Sequence, residues 1–207
     1  MFLPDVLAYL KRYLSTSRYE HSLRVGETAR HFAHSYSLSL ESAYLAGILH
    51  DIAKPASPDN TYGEDITFTD FEIQLYQEYP KVWHAFVGPK YVAAGCGFIS
   101  FEVADAIMYH TTGKADMLPL TEVVYVSDFV EPGRTTSASV YINSLAKYDL
   151  DSAIYAITVL NINQLKMRGS SIYPETLKCF NFYKERVKDD ARKSILISLE
   201  ISADEFG

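Results

Sequence analysis

The chain has 207 residues, of which 48% are hydrophobic, 14% aromatic and 22% charged, which is ample for a buried core and excludes disorder over most of its length. A formal charge of -7 and a pI near 5.3 exclude a protein that grips long nucleic acid through a basic face, while a small phosphorylated ligand can still be held by a few cations or a bound metal. No apolar run reaches the ~18 residues that a membrane-crossing helix needs, so no membrane is expected among the partners.

Along the chain, Pro4 and Asp5 suit the first turn of a helix that Val6, Leu7, Leu10 and Leu14 continue at helical spacing. Asp5 interrupts this stretch and no basic leader precedes it, so an export signal is not expected. From Arg18 to Tyr36 the residues His21, Val25, Ala29, Phe32 and Tyr36 recur every three or four positions, which places His21 on the inward stripe. His31 and His34 fall off that stripe and are assigned to solvent. A third helix, about Ser39 to Ala53, carries Ala43, Ala46, Gly47 and His50 on one side, and Pro55 is expected to stop it. Residues 55–67, rich in Pro, Asp, Asn, Ser and Gly, read as a surface loop.

Further helices are predicted over about 68–78, 81–95, 101–110, 120–130, 136–147, 151–168 and 174–200. Strands are nearly absent, so the fold class is all-α, and no linker or repeat divides residues 1–207 into more than a single domain. Cys96 and Cys179 have no CxxC spacing and read as free packing thiols in a reducing, cytoplasmic compartment.

Four histidines and two aspartates stand where polar groups are awkward. His50 and Asp51 are consecutive in AGILHDIAK, about 100° of helix rotation apart, on an otherwise apolar helix. A lone His-Asp pair is weak evidence, since histidine can cap a carbonyl and aspartate can end a helix. Asp128 changes the balance: it interrupts the apolar VVYVSDFV just before Pro132-Gly133, and a buried carboxylate needs a cation or several hydrogen bonds. With His21 these make a mixed imidazole and carboxylate set suited to iron, manganese, zinc or a similar divalent ion. His84, in VWHAFVG, and His110, in AIMYHTTG, are further candidates for a second metal or for phosphate contacts.

The ordered set His21, His50-Asp51, Asp128 resembles the HD-domain phosphohydrolases, and His84 and His110 fall where six-ligand members carry two more histidines. More narrowly, HSLRV at 21–25, YLAGILHDIAKP at 44–55, YHTTG at 109–113 and YVSDFVEPGR at 125–134 are similar to the YqeK-type symmetrical dinucleoside-tetraphosphate hydrolases, over roughly residues 15–185, with a divergent C-terminal helical tail. The resemblance implies an HD-type helical bundle with a metal site in a central cleft. It also implies hydrolysis of diadenosine tetraphosphate at its centre to two nucleoside diphosphates. One or two divalent ions would serve, iron first and manganese, cobalt, zinc or magnesium as alternatives.

In that chemistry Asp51 is both ligand and acceptor of a water proton. Lys54, then Arg18 and Arg134, are the candidate cations for phosphate charge; a solvated surface charge is the alternative reading for each, and for Arg18 the two readings weigh equally. Thr111 and Thr112 follow His110 where a helix should end and offer hydroxyls and amides to phosphate, and Tyr173, before Pro174, matches a family segment near the nucleotide. Another HD nucleotidase or a guanosine alarmone hydrolase, a di-iron oxygenase and a nucleotide-sensing module are the competing readings. A homodimer is left open.

Overall fold

The helices begin where the sequence supplies caps. In the computed structural model, which describes residues 3–97, 99–202 and 206, the elements are α1 (Leu3–Tyr13), α2 (Thr16–Ser35), α3 (Leu40–Leu49), α4 (Asp70–Glu78), α5 (Pro80–Cys96), α6 (Phe101–Tyr109), α7 (Pro119–Val130), α8 (Ser137–Ala146), α9 (Leu150–Met167), α10 (Pro174–Arg186) and α11 (Asp189–Ser198). Ser15, Ser39, Thr69, Ser100, Thr136 and Asp149 each accept the backbone N–H three residues ahead, satisfying a donor that a helix start leaves free. Proline opens α5, α7 and α10, where its missing N–H costs nothing. Among the described residues no strand forms, and the only bridge joins Ser57 and Asn60.

The fold is therefore all-α, as the spacing predicts. Helix α7 is its axis: Leu120, Thr121, Val123, Val124, Tyr125, Val126, Ser127 and Val130 are all buried, and α2, α3, α6, α8 and α9 pack around it. A helix apolar on nearly every side is stable only when enclosed in this way. One contiguous apolar cluster runs from Val6 on α1 to Ile195 and Leu196 on α11.

The approach of α2 to α3 is set by two glycines. A Cβ on Gly47 would lie 2.6 Å from Gly26 Cα and 2.9 Å from Gly26 N, and one on Gly26 would lie 2.5 Å from Ile48 Cγ2. Backbone thus touches backbone, five residues after His21 and three before His50, and the two imidazole centroids stand 5.2 Å apart.

Two helix boundaries differ by more than two residues from the sequence reading. Helix α3 ends at Leu49 instead of Ala53, with His50 as its C-cap. Beyond it the chain tightens into turns with Ile52 N–H on Leu49 O, Lys54 N–H on Asp51 O and Ala56 N–H on Ala53 O. His50 and Asp51 therefore leave the helix end and do not lie on a helical face. The segment 174–200 is two helices, because Val187 and Lys188 are extended, with ψ 128 and ψ 148. Lys184 and Arg186 close α10 while Asp189 and Asp190 open α11, charges that suit one helix ending and another starting. The loop over 55–67 lies at the surface as read, with none of its residues fully buried; Ala56 and Ile66 rest partly buried on the core, and just beyond it Phe68 stands edge-on to Trp83 at 5.2 Å.

Gly47→Ala should lower stability by about 2 kcal/mol, the usual range for overpacking a backbone contact, read as a lower urea midpoint. An unchanged midpoint would mean that α2 and α3 separate freely and that the glycines do not set their spacing.

Candidate active site

Five elements deliver the six histidine and aspartate candidates to one place. Helix α2 presents Arg18, His21 and Arg24 at three-residue intervals. The end of α3 gives His50 and Asp51, α5 gives His84, the end of α6 gives His110, and α7 gives Asp128. His50 and His110 are built alike. Each is the C-cap of its helix, and each places Nδ1 on the carbonyl three residues back, Gly47 O at 2.6 Å and Ile107 O at 2.7 Å. A carbonyl only accepts, so Nδ1 carries the proton and the Nε2 lone pair is free to face the interior.

Asp51 is the meeting point. Its Oδ2 accepts from Arg18 Nη1 at 2.7 Å and lies 3.4 Å from His50 Nε2. Its Oδ1 lies 3.1 Å from His84 Nε2 and 3.5 Å from both His110 Nε2 and Lys54 Nζ. Asp128 Oδ1 stands 3.0 Å from His21 Nε2, 3.8 Å from His50 Nε2 and 3.4 Å from Arg134 Nη2.

The electrostatics follow. Burial alone would raise the Asp51 pKa, but the His50 charge and the close approach of the His110, His50 and His84 rings hold it well below the ordinary carboxylate range. Asp128 is lowered too, burial being outweighed by His21 and His50. Burial, helped by the neighbouring Lys54 charge and the His110 ring, depresses His84 to about 4, against an opposing pull from Asp51. Burial likewise lowers His110. Both therefore stand as neutral imidazoles at pH 7, the form that ligates metal. For His50 burial works downward, yet the Asp51 and Asp128 carboxylates reverse it and its pKa is raised; the two acids draw a positive charge to that point.

A divalent cation fits these residues. His21 Nε2, His50 Nε2 and Asp51 Oδ1 are buried and make no hydrogen bond, an arrangement that is costly unless another partner binds there. Donor atoms fall within 4.8 Å of one another in three sets: His21, His50 and Asp51; His50, His110 and Asp128; and Asp51, His84 and His110. The donors are imidazole nitrogens and carboxylate oxygens with no thiolate.

The other predicted residues are placed unequally. Arg18, Lys54 and Arg134 are half-exposed at the rim, all three in contact with Asp51 or Asp128. Thr111 Oγ1 lies 2.9 Å from His110 Nε2 and 3.3 Å from His84 Nε2, and lines two adjoining cavities. One, of about 380 Å³, also meets Lys54, Asp128, Arg134 and Asn161. The other, of about 440 Å³, also meets Tyr79, Asn161, Gln164 and Tyr173. Tyr173 is thus on the second cavity, edge-on to Tyr79 at 5.1 Å and Phe86 at 5.4 Å. Thr112 turns away: it is buried and donates to Gly113 O. Gly113, at φ +61, spends its amide on Tyr109 O and leaves no room for a Cβ beside Cys179 Sγ. His31 and His34 are exposed, as the helical stripe requires.

Two groups escaped the sequence reading. Asn161 and Gln164 on α9 line both cavities, and nothing in their spacing separates them from ordinary helix surface. Glu131, in the EPGR string, is buried, with Oε1 3.1 Å from His21 Nδ1 and Oε2 2.5 Å from Arg24 Nε. Burial would raise its pKa, but Arg24, the Gly133 amide and His21 lower it. The available signal was an acid three residues after Asp128, at the same interval that separates Arg24 from His21.

A helical bundle closing on buried histidines and a His-Asp pair defines the HD-domain class, and the HD domain model matches residues 18–133. A Staphylococcus aureus protein named symmetrical bis(5'-nucleosyl)-tetraphosphatase is 32% identical, the match covering 87% of this chain and 95% of that one. Its Bacillus subtilis counterpart of the same name is 30% identical over 86% and 95% of the two chains. A crystallised HD-superfamily hydrolase from Clostridium acetobutylicum, described as involved in NAD metabolism, superposes with a TM-score of 0.80 at 26% identity, covering 90% of this chain and 99% of that one. The chain belongs to the HD-domain family and, within it, to the group of the symmetrical bis(5'-nucleosyl)-tetraphosphatases.

Asp51→Asn and His50→Ala are each expected to leave the purified protein without bound divalent metal while its helical circular dichroism persists. Metal content at the wild-type level in either variant would remove the cluster from consideration as a metal centre.

Proposed function

We propose that this protein is a metal-dependent hydrolase that splits dinucleoside tetraphosphates symmetrically, diadenosine tetraphosphate giving two ADP. The observation that carries the reading is a complete His-Asp cluster on a chain that matches relatives of that name over nearly their whole length. In the reaction a water oxygen bonds to one of the two central phosphorus atoms, the bond from that phosphorus to the central bridging oxygen breaks, and the departing ADP keeps the electron pair. Two ADP account for every atom of substrate and water.

In this reading His21, His50, Asp51 and Asp128 would hold one divalent ion, and Asp51, His84 and His110 would offer donors to a second. The chemistry a divalent cation supplies in such a site is a lowered pKa for water and polarisation of a phosphoryl oxygen. Imidazole and carboxylate donors without thiolate suit iron, manganese or zinc alike; iron is the ion we propose first, on the resemblance to the family. Asp51, kept ionised by Arg18 and the imidazoles around it, is able to accept the proton of the attacking water; the same contacts make it a weak base, so holding metal is its larger task. Lys54, Arg18 and Arg134 converge on the cleft where charge grows on the phosphoryl oxygens. Thr111 stands where the two cavities join, so the tetraphosphate crosses beneath it, and Tyr79 and Tyr173 offer aromatic surface to one nucleoside. The two unpaired thiols fit a cytoplasmic setting, and sedimentation distinguishes a monomer from a homodimer.

The deciding experiment is product analysis after anaerobic loading with iron or with manganese. ADP as the sole nucleotide product supports the reading, whereas AMP with ATP, or no turnover, would retain the HD site and remove this substrate. In the same assay Lys54→Ala should lower kcat about 10²-fold, the scale for losing one charge-stabilising group, with bound metal unchanged. A loss confined to KM would make Lys54 a binding residue only.

A further inference from the structure

Among the histidines of the cluster, His21 is anchored by a different device. His50 and His110 sit at helix ends, where a carbonyl of their own helix is free to take Nδ1. His21 lies within α2, where the carbonyls are engaged in the helix and none is available to its ring. A carboxylate from another helix takes that place: Glu131 Oε1 is 3.1 Å from His21 Nδ1.

Glu131 is itself held from several sides. Its Oε2 accepts from Arg24 Nε at 2.5 Å and from the Gly133 N–H at 2.6 Å, and its own N–H donates to Ser127 O as the C-cap of α7. It is 2% exposed, and a carboxylate so enclosed persists only with such donors. Gly133 is part of the arrangement: a Cβ there would lie 2.7 Å from Arg24 Nη2 and 2.9 Å from Glu131 Oε1. Pairing with an acceptor-only group puts the His21 proton on Nδ1 and turns the Nε2 lone pair toward Asp128 Oδ1, 3.0 Å away.

We infer that Glu131, braced by Arg24 and the Pro132-Gly133 turn, is a positioning residue that fixes the tautomer and ring orientation of His21 and thereby sets how tightly the His21, His50, Asp51 and Asp128 end of the cluster holds its metal. The inference rests on the reading of the cluster as a metal site. Partners behind a ligating histidine typically govern metal affinity by about 10- to 100-fold.

The test compares Mn²⁺ affinity, by calorimetry or by electron paramagnetic resonance, in wild type, Glu131→Ala, Glu131→Gln and Arg24→Ala. It is paired with the imidazole ¹⁵N shifts of His21 in the metal-free proteins. Glu131→Ala should weaken Mn²⁺ binding about 10- to 100-fold and mix the His21 tautomers. Glu131→Gln, whose amide oxygen can still accept from Nδ1, should recover part of both, and Arg24→Ala should lose less than Glu131→Ala. If Glu131→Ala does not fold, the Gln and Arg24 variants carry the comparison, and helical circular dichroism with metal-free melting separates a loss of fold from a loss of ligand geometry. Wild-type Mn²⁺ affinity and an unchanged His21 tautomer in the folded variants would overturn the inference alone. A wild-type protein that binds no Mn²⁺ or other divalent ion would overturn it together with the metal-site reading.

Discussion

An ionised carboxylate enclosed in a helical bundle demands compensation, and Asp51 organises this protein through that demand. Arg18 from α2, His84 from α5, His110 from the end of α6 and Lys54 from the turn after α3 all converge on its two oxygens. No single helix supplies enough positive or donor groups. The bundle has to bring four elements together, and their relative placement is over-determined as a result. The same convergence leaves His21 Nε2, His50 Nε2 and Asp51 Oδ1 buried without hydrogen bonds, so the enclosure that keeps the acid ionised also creates the demand for a cation.

Helix ends, more than helix faces, aim the donors. At a helix C-terminus the last carbonyls lack partners, and His50 and His110 use their rings to cover one each, which fixes the opposite nitrogen inward. His21, denied that device by its place within α2, takes a carboxylate from α7 instead. Stability and site geometry are therefore carried by the same hydrogen bonds. The glycine contact between α2 and α3 works on a larger scale, bringing two backbones to touching distance so that His21 and His50 face each other.

The acidic surface and the phosphate chemistry are reconciled by position. The chain carries a formal charge of -7, yet Arg18, Lys54 and Arg134 meet at one rim, with Thr111, Asn161 and Gln164 lining the cavities beyond. A local field of this kind can hold a small polyphosphate while the rest of the surface repels a long polyanion.

Local chemistry was legible in the sequence. Caps and prolines mark most helix starts, the three- and four-residue stripe puts His21 inside and His31 and His34 outside, and the apolar settings of His50-Asp51 and Asp128 identify the awkward acids. Those features depend on neighbours a turn away, and a linear reading contains them. The early end of α3 was not legible, because it is tied to a ring closing on Gly47 O, nor was the break at Val187-Lys188, where neither proline nor glycine marks the stop. Thr112 looked as available as Thr111 until the turn faced it away. Glu131, Asn161 and Gln164 acquire meaning only from α2 and from the two cavities, which lie far along the chain from them. Sequence by itself determined which residues had to find partners; the tertiary structure decided which partners they found, because that choice rests on contacts between helices that no local spacing encodes.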